Sequence, residues 1–420
     1  MKLAALCRLC AFILVTFVTV TSSVCSGKPP LVKCGIDNLI DTQFALLRGK
    51  RVVLVTHAAA RAQTGRSTFD EFRRRTDVSL LRILTPEHGF YGTVAAGGSV
   101  ANEHIDGVDA ISLYGAQRKP SAAIISDADI VVIDLQDIGT RSYTFMSTMI
   151  ECLESCAELN IRVMILDRPN PLGGNVVDGN VPEDSLRTFV ARIPVAYVHG
   201  MTMGELATMS NGEGWLGKDE KGLPRRCSLT VVRCKRWTRD MRFEETGLSW
   251  YPTSPNIPTI HAARGYPVTG LLGELGGVYI GIGAQSPFTV VGAPSRVLDT
   301  ALIQRLKLHG VTALQAQFVP SNGRFQGTLC TGYYLAFDGD VKWRPYTAAL
   351  ALIAALTPDV KMNDSASGIT GAQKSMFKKV SGSSSLLTAL LNGNMVNAEA
   401  EAARGLEAFK LKRRQYLLYP

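Results

Sequence analysis

From about residue 50 the chain alternates short apolar runs with stretches of helical spacing. Residues 52–56 (VVLVT), 80–85 (LLRILT), 130–135 (IVVIDL) and 161–167 (IRVMILD) are dense in Val, Ile and Leu, the texture of strands covered on both faces. Between the last two, Tyr143, Met146, Met149, Ile150, Leu153 and Ala157 recur at helical spacing over 142–159. Strand, helix, strand at this length is a βαβ unit, so the pattern predicts an α/β fold with a Rossmann-like, doubly wound parallel sheet. After residue 240 the texture changes. Pro252, Pro255, Pro258 and Pro267 predict irregular chain, and residues 270–283 hold six glycines. A strand-like run (328–337), an apolar helix (347–356), a flexible serine turn (381–385) and a helical tail (398–418) then predict a smaller C-terminal α+β domain. The expected division is 35–265 for the Rossmann-like catalytic domain and 266–420 for the auxiliary one.

Each apolar run ends in a polar cluster. Residues 80–85 lead into Pro86-Glu87-His88-Gly89-Phe90, and 130–135 lead through Asp134 into Gln136, Asp137 and Arg141. The run 161–167 ends on Asp167, Arg168 and Asn170. In an open parallel sheet, ligands sit outside the carboxyl ends of the strands, which directs all three clusters to one cleft. Glu87, between Pro and His and followed by Gly89, is poorly placed to cap a helix and is the leading candidate for chemistry, with His88 beside it. The aspartates have a second reading as helix caps or as partners of Arg141 and Arg168. His199 opens another polar loop, in which Thr202 and Glu205 have capping-box spacing and mark a helix start.

Absences narrow the chemistry. Residues 56–65 (THAAARAQTG) stand where a dinucleotide fold places its glycine fingerprint, and no Walker A, G-x-S-x-G or H-E-x-x-H sequence occurs. No cofactor is called for, and no ligand spacing demands a metal. The 420 residues carry a formal net charge of +9, a mild excess concentrated in 225–242 and 410–414 without the aromatic interleaving of a nucleic-acid surface. Those segments read as solvated surface that steers anionic fragments over distance. Residues 1–27 have a basic start, a ten-residue apolar core (11–20) and small residues after it, the pattern of a cleaved signal peptide. The core is shorter than the roughly 18–20 residues that span a bilayer. The expectation is an extracytoplasmic protein (secreted, periplasmic, or in the lumen of a secretory or lysosomal pathway) with no stable membrane insertion after cleavage. Cys7, Cys10 and Cys25 belong to that segment. Of the other six cysteines, Cys152 and Cys156 would stand about 5–6 Å apart on a helix, too far for a disulfide. Cys227 and Cys234 would lie about 23 Å apart on one strand, so buried free thiols are expected. Asn363-Asp364-Ser365 is a formal glycosylation acceptor.

Five blocks in order resemble the NamZ-type exo-β-N-acetylmuramidases: PEHGF (86–90), DLQDIGTRSYTF (134–145), LDRPNPLGG (166–174), VHGMTMGELA (198–207) and TGLSWYPTSPNIPT (246–259). YP-x-T-G (266–270), PF-x-x-x-GAP (287–294) and R-x-YLLY (414–419) extend the likeness over roughly 35–420. The resemblance implies a glycosidase that removes N-acetylmuramic acid from the non-reducing end of peptidoglycan fragments, with Glu87 as its catalytic glutamate. A glycosidase needs an acid for the leaving oxygen and a second group that attacks, activates water or stabilises charge. Glu87, half-shielded by Phe90 and Tyr91, suits the acid. Asp134, Asp137, Glu274 and His88 are candidates for the second group, as is the acetamido oxygen of the sugar itself. Arg141 and Arg168 are the natural partners of the lactyl carboxylate, and Gln136, Asp167, Asn170, His199 and Asn256 complete the expected saccharide-binding set. The chain departs from the family pattern at His57-Ala58-Ala59-Ala60 and at Ile280 and Ile282, which replace a glutamate and an arginine. Those departures motivate the alternative of a catalytically weakened sugar-binding protein.

Overall fold

The computed structural model describes residues 31–294, 299–337, 343–362 and 369–420. The expected signal segment and the glycosylation acceptor lie outside these residues.

A seven-stranded sheet is built from β1 (Arg51–Thr56), β2 (Ser79–Thr85), β3 (Glu103–Ile105), β4 (Val108–Ser112), β5 (Ile130–Asp134), β6 (Arg162–Leu166) and β7 (Leu229–Val232). Its order is β3-β4-β2-β1-β5-β6-β7, parallel throughout except for the antiparallel β3–β4 pair. Strand alternation sorts the apolar residues cleanly. Val53, Val55, Val131, Ile133, Val163 and Ile165 enter one core cluster, while Val52, Leu54, Val132, Met164 and Leu166 enter another on the opposite face.

A smaller antiparallel sheet follows, with β8 (Val290–Pro294), β9 (Thr312–Phe318) and β10 (Cys330–Ala336) in the order β8-β10-β9. Its buried residues, among them Val291, Tyr333 and Leu335, belong to the same core cluster as Val53 and Ile133. Helices Thr300–Leu308, Pro345–Met362 and Gly371–Ser381 accompany it.

Three local expectations are corrected. The proline- and glycine-rich stretch contains a regular helix, Ile260–Leu275, which runs through Pro267. Thr259 caps its start by accepting the Ala262 N–H, and Gly276, with φ of 69°, ends it. An interior proline costs about 3 kcal/mol, which burial of Val268, Leu271, Leu272 and Leu275 offsets. The serine turn is an ordered, partly buried junction: Ser381 and Ser383 are buried, and Ser383 Oγ accepts the Leu386 N–H at 3.1 Å. The helical tail breaks at Gly405, where φ is 74°, into Met395–Ala402 and Leu406–Arg413. Cys34, Cys152, Cys156, Cys227, Cys234 and Cys330 are all buried free thiols. Among the described residues no helix is long and apolar enough to cross a membrane.

Candidate active site

Strand β2 delivers Glu87. Pro86 ends the strand, and His88 and Gly89 then turn the chain with φ of 75° and 76°. A left-handed conformation at a residue with a Cβ is uncommon and strained. It is held here by the His88 imidazole, whose Nδ1–H donates to the Val94 carbonyl at 2.7 Å. Both oxygens of Glu87 face donors: the Gly97 N–H reaches Oε1 at 2.9 Å and the Thr144 hydroxyl reaches Oε2 at 2.5 Å. Thr144 is the N-cap of helix Phe145–Leu159, yet its side chain makes no cap bond. The hydroxyl that would ordinarily satisfy the helix serves Glu87 instead, and the positive end of the helix dipole lies beside the carboxylate. Tyr114 completes the ring of hydroxyls; burial, then the charge of Glu87, pushes its phenol up to about 12.

The opposite wall comes from helix Ile260–Leu275. Glu274 sits in its last turn, where the dipole opposes negative charge, and burial raises its pKa above the usual carboxylate range. Tyr266, two turns earlier, reaches Ser142 Oγ at 3.2 Å, and Tyr143 donates to Thr253 Oγ1 at 2.8 Å. Burial holds the Tyr266 phenol well above its ordinary pKa, and the charges of Glu274 and Glu87 add to it. These residues, with Asn256, Phe288 and Met376, line one cleft of about 310 Å³ that has no Arg or Lys in its wall. Gly265 is needed here, because a Cβ would come within 2.3 Å of the Phe288 carbonyl oxygen.

Of the residues singled out from sequence, the cleft therefore gathers Glu87, His88, Asn256 and Glu274. The others lie elsewhere. Asp134 and Arg168 form a buried bidentate pair at 2.5 and 2.9 Å, with the Thr68 hydroxyl on the same carboxylate. They fill the crevice between β1 and β5, together with His57, whose Nε2 accepts the Gln136 N–H at 3.1 Å. Burial drives the His57 pKa down to about 3, so the ring is neutral. Only about 80 Å³ remains there, between Gln136, Arg168, Arg61 and Trp250. The topological switch point is thus plugged, and the open cleft has moved to the end of β2.

Arg141 is fully buried. Its guanidinium donates to the carbonyls of Asn180, Val195 and Ser381 at 2.5, 2.9 and 2.8 Å, stapling the large sheet's loops to the end of helix Gly371–Ser381. Both terminal nitrogens are therefore turned to backbone and not to a ligand carboxylate. Asp137 accepts the Gly139 N–H at 2.7 Å and stands 3.7 Å from His199, away from the wall of the cleft. Asn170 braces a turn, accepting the Leu172 N–H and donating to the Met201 carbonyl.

Asp167 is the hub of another buried cluster. Its carboxylate accepts from the Tyr419 and Thr202 hydroxyls at 2.5 and 2.7 Å and from the Gly204 N–H at 2.8 Å. Thr202 and Glu205 do form the expected capping box. Burial outweighs the donors and pushes the Asp167 pKa up to about 6. Between about pH 4 and 6 the folded chain keeps a proton that the unfolded chain has released, so stability from this group falls as pH rises through that value. A rise from the ordinary 3.8 to about 6 corresponds to about 3 kcal/mol. Urea unfolding should show stability falling between about pH 4 and 6 and levelling off above that, and Asp167→Asn should lack this slope.

Sequence reasoning missed Tyr114, Tyr143, Thr144 and Tyr266. Tyr143 and Thr144 lie inside the block 134–145 and Tyr266 opens YP-x-T-G, so position within a block was their only signal. At the departures, Ile280 is buried with its Cδ1 2.5 Å from where a Gly273 Cβ would stand, next to Glu274, while Ile282 is 40% exposed.

Comparison with known proteins agrees with this architecture. Residues 52–261 match the N-terminal family model of exo-β-N-acetylmuramidase NamZ, and 264–419 match its C-terminal model. The peptidoglycan β-N-acetylmuramidase NamZ of Bacillus subtilis is 36% identical over 420 residues, covering 97% of each chain. A crystal structure of a DUF1343-family protein from Bacteroides fragilis superposes with a TM-score of 0.83 at 35% identity, covering 93% of this chain and all of that one. A second from the same organism gives a TM-score of 0.72 at 29% identity, covering 92% and 99%. With both of its halves matched and a cleft of carboxyl groups at the end of β2, the chain belongs to the NamZ exo-β-N-acetylmuramidase family.

Proposed function

We propose that this protein is an extracytoplasmic, exo-acting glycoside hydrolase that releases N-acetylmuramic acid from the non-reducing ends of peptidoglycan fragments. The observation that carries the reading is the pairing of two carboxyl groups across one cleft in opposite surroundings. Glu87 is ringed by donors at a helix start, whereas Glu274 is desolvated at a helix end. The group raised by burial suits the acid, and the group lined with donors suits the charge-stabilising partner. Glu274 carries the proton that goes to the leaving oxygen as the C1–O bond breaks. Glu87 is the carboxylate that faces the positive charge developing at C1; water supplies the new C1 oxygen, and the proton it loses as the C1–O bond forms returns to the Glu274 carboxylate. The small volume suits about one terminal sugar, as exo action requires. The peptidoglycan substrate is that of the Bacillus relative by its name, and the leader pattern of residues 1–27 supports export.

Arg118 takes the place expected of Arg141 and Arg168. Its guanidinium carbon lies 5.3 Å from the centre of the Tyr114 ring and 4.4 Å from that of Phe189, on the Tyr114 side of the cleft. Stacking fixes its plane and leaves its edge donors available to a lactyl carboxylate. The test is release from 4-nitrophenyl β-N-acetylmuramide and from the matching glucosaminide. Turnover of the muramide is expected, with Arg118→Gln reducing the preference for it by roughly 10-fold, the scale of one charge-assisted hydrogen bond. Binding of both sugars with release of neither would leave the sugar-binding reading in its place.

A further inference from the structure

A cavity of about 730 Å³ shares no wall residue with the catalytic cleft. Two basic segments that are remote in sequence, 225–242 and 410–414, meet there: Arg239 and Arg242 from the first, Lys410 from the second. Arg264, Arg344 and His309 join them, and Asp240 is the single carboxylate of the wall. Several of these cations are fixed from behind. Arg239 pairs with the buried Glu205 at 2.7 Å, and Arg264 pairs with Glu244 at 2.6 Å. Others are not neutralised. The Arg242 guanidinium makes no ion pair within 4 Å among the described residues, Glu245 taking only its backbone N–H at 2.6 Å, and Arg344 comes only within 3.9 Å of Asp178. Behind Arg239, Arg413 donates to the Gly174 and Gly200 carbonyls at 3.1 and 2.7 Å, again with no carboxylate within 4 Å among the described residues. Carbonyl dipoles satisfy its N–H groups without cancelling its charge.

We infer that this cavity is a second binding site, for a multiply charged anion bearing carboxylate or phosphate groups. Its volume is in the range of small-molecule sites, and its floor is partly apolar, with Trp343, Leu308 and Val176 in the wall. Guanidinium groups already oriented by second carboxylates bind oxyanions with little loss of side-chain freedom. A single monovalent anion leaves Arg242 or Arg344 unmatched; two or more negative groups on one ligand match both. The basic excess that reads as diffuse surface charge in the sequence is gathered by the fold into a concave, directional site. The inference is independent of the chemistry assigned to Glu87 and Glu274.

Calorimetric titration of the whole protein at low ionic strength tests it, with citrate as the carboxylate probe and tripolyphosphate as the phosphate probe. Saturable binding near one equivalent is expected for at least one probe, weakening as salt is raised. The probe that binds identifies the chemistry. The double variant Arg242→Ala/Arg344→Ala changes two exposed side chains, so it should fold, and it should bind at least roughly 10-fold more weakly while turnover of the muramide stays the same. Arg242→Glu should weaken binding further. Saturation by neither probe, or unchanged affinity in a double variant whose circular dichroism matches the parent, would overturn the proposal.

Discussion

Glu274→Gln is expected to lower turnover of a natural disaccharide by roughly 10²–10⁴-fold, the range that a positioned general acid supplies. The loss should shrink sharply on a 4-nitrophenyl glycoside, because that leaving group departs without a proton. Glu87→Gln should lose activity on both substrates, since stabilising charge at C1 is needed whatever leaves. The pH profile separates the roles further. Burial raises the pKa of Glu274, so the wild-type rate should fall as pH climbs through that raised value and the acid loses its proton. Glu274→Gln should lack this alkaline limb on the activated substrate. The reverse pattern, with Glu87→Gln rescued by the good leaving group and Glu274→Gln not, would exchange the two assignments.

Arg168→Met should destabilise the fold by about 3–5 kcal/mol, the cost of leaving one member of a buried ion pair alone. The stranded partner is Asp134, whose side chain is fully buried against Thr68. Asp134→Leu/Arg168→Met, which removes both charges, should recover most of that loss. Urea unfolding measures both variants. If the single variant is as stable as wild type, Asp134 has found another partner or taken up a proton. This prediction also separates structure from chemistry, because muramidase turnover of folded double variant should remain near the wild-type level.

The parts of the fold that were legible were those whose signal is local. β1, β5 and β6 lie inside the sheet with both faces covered, so their sequences are nearly continuous apolar runs, whereas β2 is fully buried only over its last three residues and carries Arg82. β9 was not legible, because six of its seven residues are half-buried or exposed and Leu314 faces solvent. Helix Ile260–Leu275 was misread because Pro267 speaks against a helix locally while long-range burial decides the outcome. The site divides in the same way. Glu87 was identifiable from its Pro and Gly neighbours. Arg141 was assigned to the ligand because an arginine after a strand end looks available; what occupies it is the Ser381 carbonyl, 240 residues away. Tyr266 and Thr144 carried no local mark of function, since what they do depends on Ser142 and Glu87 across the cleft.

The Asp167 cluster bears on how the chain is made. Tyr419 places its hydroxyl on Asp167 at the end of β6 and also accepts the Cys234 N–H at 2.9 Å, while Leu418 donates to Glu205 and the Pro420 carbonyl accepts from Arg239. The first half of the chain thus emerges from the ribosome with the end of its central sheet incomplete. During synthesis, a buried carboxylate and its arginine-bearing neighbours wait for residues translated some 250 positions later. The nascent sheet is exposed to misassembly for that whole interval. A nascent chain stalled just before residue 418 should therefore be more sensitive to proteolysis than one that has cleared residue 420, even though every strand of the large sheet is already present in both.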